Sequence, residues 1–146
     1  MIAIGADHGG YKLKEEIKKY LIEKNQKFKD FGTFSEESID YPDIAIRLAE
    51  EVRDRKCELG IVICKTGFGM SIATNKVKGI RCAVCSDTYE AQLAKEHNNV
   101  NVLGIGASRM SITRAISIIE VWMSSQFLGG RHQQRIDKIS KYENNK

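Results

Sequence analysis

The chain has 146 residues, a 42% hydrophobic share, one proline and a formal charge of +4 at pH 7. A single core typically spans roughly 100 to 200 residues, so one domain covering residues 1–146 is expected, globular rather than disordered. The mild charge without aromatic and basic interleaving speaks against nucleic acid, and the lack of a basic, then apolar leader or of any run near about 18 apolar residues speaks against secretion and the membrane.

A cytoplasmic setting is therefore expected, and with it four reduced cysteines. Ile2 to Ile4 is a short apolar run ending in Gly5-Ala6-Asp7-His8-Gly9-Gly10. From Tyr11 the period changes, placing Leu13, Ile17, Tyr20 and Leu21 on one helical face and Lys12, Lys14, Lys18 and Lys19 on a solvated one. Lys27 to Phe31 alternates as a second strand closed by Gly32, and Ile44, Leu48 and Val52 mark a helix beginning near Tyr41-Pro42-Asp43. Leu59 to Cys64 is a continuously apolar third strand, as expected where helices cover both sheet faces. A glycine loop leads from it into a helix at about Gly69.

Ile80 to Cys85 repeats the strand pattern, and Asp87 with Glu90 reads as the N-cap and reciprocal partner of a helix to about Glu96. Val100 to Ile105 makes a fifth strand. Ser111 then caps a long helix carrying Ala115, Ile116, Ile119, Trp122, Met123 and Phe127 until Gly129-Gly130 stops it. A last helix runs from Arg131 to about Tyr142, leaving residues 142–146 as a flexible tail. Strands alternating with helices imply right-handed crossovers and a parallel sheet. The expected fold class is α/β: a three-layer, Rossmann-like (flavodoxin-like) sandwich with a five-stranded parallel sheet and a C-terminal helical extension.

Such sheets bind ligands outside the carboxyl ends of their strands. Asp7 and His8 follow strand one, and Cys64 and Thr66 end strand three, so these titratable and hydroxyl groups share one edge. Cys64 directly precedes the amides of a glycine loop entering a helix, and such amides favour an anion, whether a thiolate or a developing oxyanion. A small apolar role in the core is the plainer reading of a cysteine, but Thr66, Gly67 and Gly69 immediately downstream tip the balance toward chemistry. Two motifs fail on geometry. Cys82 and Cys85 have CxxC spacing, yet residues three apart in a strand face opposite sides. Gly67-Phe68-Gly69-Met70-Ser71-Ile72 lacks the third glycine of a dinucleotide fingerprint and the lysine of a P-loop. Arg131 and Arg135, four apart at a helix start beside His132, suit a phosphate or, more plainly, a solvated basic face, and Arg109 is placed to join them.

The pieces GADHGG (Gly5 to Gly10), DYP (Asp40 to Pro42), TGFGMSIATNKVKGIR (Thr66 to Arg81), EHNNVNVLGIGASR (Glu96 to Arg109) and GGRHQQRID (Gly129 to Asp137) resemble, taken together, ribose-5-phosphate isomerases of type B. The wider family includes allose- and galactose-6-phosphate isomerases. The resemblance implies an aldose–ketose isomerase with no metal and no organic cofactor, working through a cis-enediol. It implies Cys64 as the base between C1 and C2, Thr66 in proton exchange, and the amides of Gly67, Phe68, Gly69, Met70 and Ser71 as the enediolate hole. His97 matches the ring-opening group, with Asp7 and Asn98 beside the sugar oxygens. His8, Arg131 and Arg135, with Arg109, match the phosphate grip, and His132 and Tyr41 line the pocket. Homodimers or homotetramers with sites shared between chains are the family expectation. Three positions depart from its pattern: Lys65 stands where glycine is usual, Asn99 follows His97-Asn98 where aspartate is commoner, and Phe68 replaces an aliphatic residue. If position 65 needed a left-handed backbone, a lysine would cost about 1 to 2 kcal/mol. A six-carbon substrate, a non-catalytic sugar-phosphate-binding subunit and a thiol-redox role are the alternatives.

Overall fold

Side-chain alternation along the strands decides which helices cover which face. The computed structural model describes residues 1–145. In chain order it forms β1 (Ile2–Ala6), α1 (Tyr11–Glu23), β2 (Phe28–Asp30), α2 (Tyr41–Arg53), β3 (Leu59–Cys64), α3 (Phe68–Thr74), β4 (Cys82–Val84), α4 (Thr88–Asn98), β5 (Val102–Gly106), α5 (Ile112–Ser124) and α6 (Arg131–Asn144). Ile2, Ile4, Ala6, Ile61, Ile63, Leu103 and Ile105 pack with α1, α4 and α5 on one face. Ala3, Val62, Cys64 and Val102 pack with α2 and α3 on the other. The result is the expected three-layer sandwich.

All strand pairs are parallel, in the order β2-β1-β3-β5-β4. A flavodoxin-like sheet runs 2-1-3-4-5; here β5 is inserted beside β3, and β4 forms the edge. The chain reverses direction across the sheet between β1 and β3, so Asp7 and Cys64 flank the crevice where such sheets take ligands.

Four local readings change. The helix after the glycine loop begins at Phe68, one residue before Gly69. α5 ends at Ser124, so Phe127 lies in the connecting segment rather than on the helix. The Ser124 and Ser125 hydroxyls donate back to the Val121 carbonyl at 3.3 and 2.7 Å, competing with helical bonding there. α6 continues to Asn144, past Tyr142, while Lys146 lies outside the described residues. Lys14 is not solvated: it is 0% exposed, with its Nζ 2.8 and 2.7 Å from the two Asp30 oxygens and 3.0 Å from Glu15 Oε2. The N-cap of α4 forms as expected, Asp87 Oδ1 accepting the Glu90 N–H at 2.8 Å, although Glu90 reciprocates to the Ser86 N–H at 2.6 Å. Among the described residues no helix is long and apolar enough to cross a membrane.

Candidate active site

Pairing of β1 with β3 continues one step beyond the strand, the Asp7 N–H donating to the Ile63 carbonyl at 3.2 Å. The Asp7 carboxylate is 8% exposed and accepts the N–H groups of Gly9 and Gly10 at 2.9 and 3.2 Å, which turns the chain into α1. Behind β1 stands a second lock. Asp30, held by Lys14, also accepts the Gly32 N–H at 2.8 Å. Gly32 and Thr33 in turn bond both main-chain groups of Ala6, at 2.7 and 2.6 Å. Burial alone would raise the Asp30 carboxyl, but hydrogen bonds from Lys14, Lys18 and the Gly32 amide outweigh it and hold the group below its ordinary value.

Cys64 closes β3 at 6% exposure, and its Sγ accepts the Gly67 N–H at 3.1 Å. The contact needs the left-handed backbone of Gly67 (φ +82), where a side chain would also meet the main chain of Ile105 at 3.1 Å. Thr66 Oγ1 accepts the Phe68 N–H at 3.1 Å, and the Ser71 N–H reaches the Gly67 carbonyl at 3.0 Å. First-turn amides have no partner within their own helix, so Gly69 and Met70 keep N–H groups for a ligand. Of the five amides named by the resemblance, those of Gly67, Phe68 and Ser71 are therefore engaged within the chain. The Tyr41 ring lies over Gly69, where an added Cβ would come 2.8 Å from it. His8 uses Nδ1 to accept the Ile39 N–H at 3.3 Å, leaving Nε2–H as a donor.

Lys65 has no positive φ, so the left-handed cost anticipated for it does not arise. It is exposed, its backbone N 3.3 Å from where a Gly9 side chain would begin. With Thr66, Phe68, Arg109 and Arg114 it lines a groove of about 470 Å³. Arg109 is therefore on the carboxyl edge, while His8 and Tyr41 are not part of that groove.

The remaining candidates lie elsewhere. A helix runs back against its strands, so α4 starts at the carboxyl edge and ends at the amino edge, where the Asn98 carbonyl accepts Arg81 Nε at 2.9 Å just ahead of β4. His97 stacks on His132 at the start of α6, ring centroids 4.3 Å apart. Arg131 and Arg135 form no ion pair among the described residues. Loss of hydration, and then the charges of His97, Arg131 and Arg135, pull the His132 imidazole below its ordinary value. The five residues of β5 alone put roughly 16 Å between this cluster and the level of Cys64. One chain thus carries two separate groups on opposite sheet edges, a thiol with main-chain donors and a histidine–arginine cluster.

Cys82 and Cys85 fall on opposite faces as expected, Cys85 in the α1, α4 and α5 layer and Cys82 against the α2 and α3 layer. Burial pushes the Cys82 thiol up and the Cys85 thiol up to about 12. No group of metal-ligating side chains forms among the described residues. Lys14, Asp30 and Arg114 were not among the sequence candidates; only Arg114 carried a signal, as a second arginine five residues after Arg109.

The family described as Ribose/Galactose Isomerase matches residues 2–139. Ribose-5-phosphate isomerase B of Escherichia coli is 45% identical over 142 residues, covering 97% of this chain and 95% of that protein. The structure of a Clostridium thermocellum ribose-5-phosphate isomerase B superposes with a TM-score of 0.96 at 46% identity, covering 99% of this chain and 97% of that one. A ribose-5-phosphate isomerase B from Mycoplasma genitalium, solved with bound ribulose 5-phosphate, gives 0.94 at 39% identity, covering 99% and 97%.

Proposed function

The chain belongs to the ribose/galactose isomerase family, and from that premise we propose that it interconverts ribose 5-phosphate and ribulose 5-phosphate in the cytoplasm, through a cis-enediolate and without metal or organic cofactor. The observation that carries the reading is the Cys64 sulfur, taking the Gly67 N–H at 3.1 Å on the edge shared with Asp7. The Cys64 thiolate removes the C2 proton of the opened aldose, electrons move onto the carbonyl oxygen, and the thiol returns a proton to C1 to give the ketose. Charge developing on that oxygen meets the Gly69 and Met70 N–H groups, and loss of one good donor of this kind typically costs about 3 to 4 kcal/mol. Thr66 shuttles the hydroxyl protons, Asp7 holds the sugar oxygens, and His97 opens the ring.

Because His97 and Cys64 stand on opposite edges of one chain, each complete site takes Cys64 from one protomer and the histidine–arginine cluster from its partner, in a homodimer or a homotetramer built from two. His8 and Arg109 with Arg131 and Arg135 then receive the phosphate from both sides, while Asn98 and His132 line the same space. Turnover of ribose 5-phosphate against allose 6-phosphate and galactose 6-phosphate tests the assignment. A higher kcat/KM for the five-carbon sugar is expected, and a higher value for either six-carbon sugar overturns it.

A further inference from the structure

His97 is the last residue but one of α4, at a point where main-chain bonding runs out. Carbonyls in a helix's last turn have no partner within it, and such ends fray unless other groups hold them. Here the carbonyls on both sides of His97 are held from outside the helix. Glu96 accepts the Leu128 N–H at 3.0 Å, and Asn98 accepts Arg81 Nε at 2.9 Å. Arg81 Nη2 reaches on to the Asn99 carbonyl at 3.0 Å. Asn99 takes the left-handed conformation (φ +46) that turns the chain out of α4. One guanidinium thus spans two successive carbonyls where the helix ends, and its charge suits the negative end of the helix dipole.

The Arg81 backbone is fastened to the sheet rather than to the helix. Its N–H donates to Asn101 Oδ1 at 2.8 Å, and its carbonyl accepts the Asn101 and Val102 N–H groups at 3.1 and 3.3 Å. Asn101 Nδ2 closes the same turn by donating to the Gly79 carbonyl at 2.9 Å. The Gly79 N–H donates in turn to Glu143 Oε2 at 3.1 Å, near the far end of α6. The turn before β4 therefore grips the ends of α4 and α6, the two helices whose histidines stack at 4.3 Å. Arg81 is half-buried and has no ion-pair partner among the described residues. Burial pulls its guanidinium below the ordinary value, and the Glu143 charge opposes that pull.

We infer that Arg81 is a positioning residue for His97, setting the angle of its imidazole through the last carbonyls of α4 without touching the sugar. A lysine in its place keeps the charge but lacks the planar fork that spans both carbonyls. The consequence for turnover rests on the ring-opening role proposed for His97; the consequence for the imidazole does not.

The test compares wild type, R81K and R81Q in the assembled protein. Histidine-selective NMR reads the stack itself, because the ring currents of His97 and His132 displace each other's ring-proton signals. Both signals should move toward free-imidazole positions in R81Q and in R81K, and unchanged signals would overturn the inference whatever the turnover. Kinetics then read the consequence. Isomerisation of ribose 5-phosphate, a ring in solution, should lose kcat by between about tenfold and a hundredfold at constant KM. Ribulose 5-phosphate has no hydroxyl placed to close a ring on its carbonyl, so exchange of its C1 hydrogen in deuterium oxide needs no ring opening and should keep the wild-type rate. An equal fall in that exchange would show that Arg81 supports the fold at large, and an unchanged kcat on ribose 5-phosphate that the imidazole needs no such support; either result overturns the inference. Should R81Q not fold, the same readouts on R81K decide. Absence of isomerase activity in the wild type would count against the proposed function and leave the NMR comparison standing.

Discussion

The imidazoles of His97 and His132 lie 4.3 Å apart and within 11° of parallel, joining the end of α4 to the start of α6 on the sheet edge away from Cys64. If a working site draws its thiol and this histidine pair from different protomers, two inactive variants repair each other. C64A and H97A, each inactive alone, should regain about a quarter of wild-type activity after being unfolded and refolded together in equal amounts. Half the dimers formed are then mixed, and each has one intact site. Activity that stays at the single-variant level would place both residues in a site within one chain.

His132 is expected to titrate below the ordinary histidine value of 6.5, because lost hydration and the charges of His97, Arg131 and Arg135 disfavour its proton. Its folded value lies below its unfolded one, so the stability tied to it is intact above 6.5 and declines as the pH falls through that value toward the folded one. Histidine-selective NMR on wild type and R135Q checks this. The midpoint should move up in R135Q and also on adding phosphate, and a midpoint indifferent to both would remove the electrostatic account.

Lys14 and Asp30 form the buried pair behind β1. Replacing Asp30 by Asn leaves the fully buried Lys14 ammonium with Glu15 as its one remaining charged partner among the described residues, and breaking such a buried pair costs on the order of 3 kcal/mol. Since the folded carboxyl lies below its ordinary 3.8, its contribution is complete above that value and is lost as the pH falls below it. Denaturant midpoints of wild type and D30N should therefore differ at pH 7 and converge in strong acid. A gap of constant size would show that charge is not its source.

Gly106 leaves no room for a side chain, since a Cβ would lie 2.6 Å from the Thr66 carbonyl oxygen. G106A must displace the Cys64–Phe68 loop from β5, at a cost of about 1 to 3 kcal/mol in stability. A displacement of even an ångström at such a loop costs up to about a hundredfold in rate. Steady-state kinetics should show the loss mainly in kcat, and an unchanged kcat would mean that the loop tolerates the shift.

The carboxyl-edge group around Cys64 is legible in the sequence because it is local: Ile61 to Ser71 holds the strand, thiol, left-handed glycine and helix start in one run. The separation of His97 from Cys64 is legible in principle too, since a helix that leaves the carboxyl edge must end at the other. Lys14 is misread because its partner Asp30 is sixteen residues away, outside any helical spacing rule. α5 is read too long because Met123 and Phe127 keep the apolar period, while the serine hydroxyls that end the helix leave no mark on hydrophobicity. Insertion of β5 between β3 and β4 depends on packing across the sheet, which no single segment encodes.

Proton transfer by Cys64 is tested most directly by incubating ribose 5-phosphate with enzyme in deuterium oxide and following deuterium at C1 and C2 by NMR. Wild type should wash solvent deuterium into the sugar as it equilibrates with ribulose 5-phosphate, and C64A should do neither while its phosphate-dependent rise in Tm persists. Isomerisation by C64A at the wild-type rate, or equilibration with no deuterium ever entering the carbon skeleton, would contradict a thiol base acting through an enediolate.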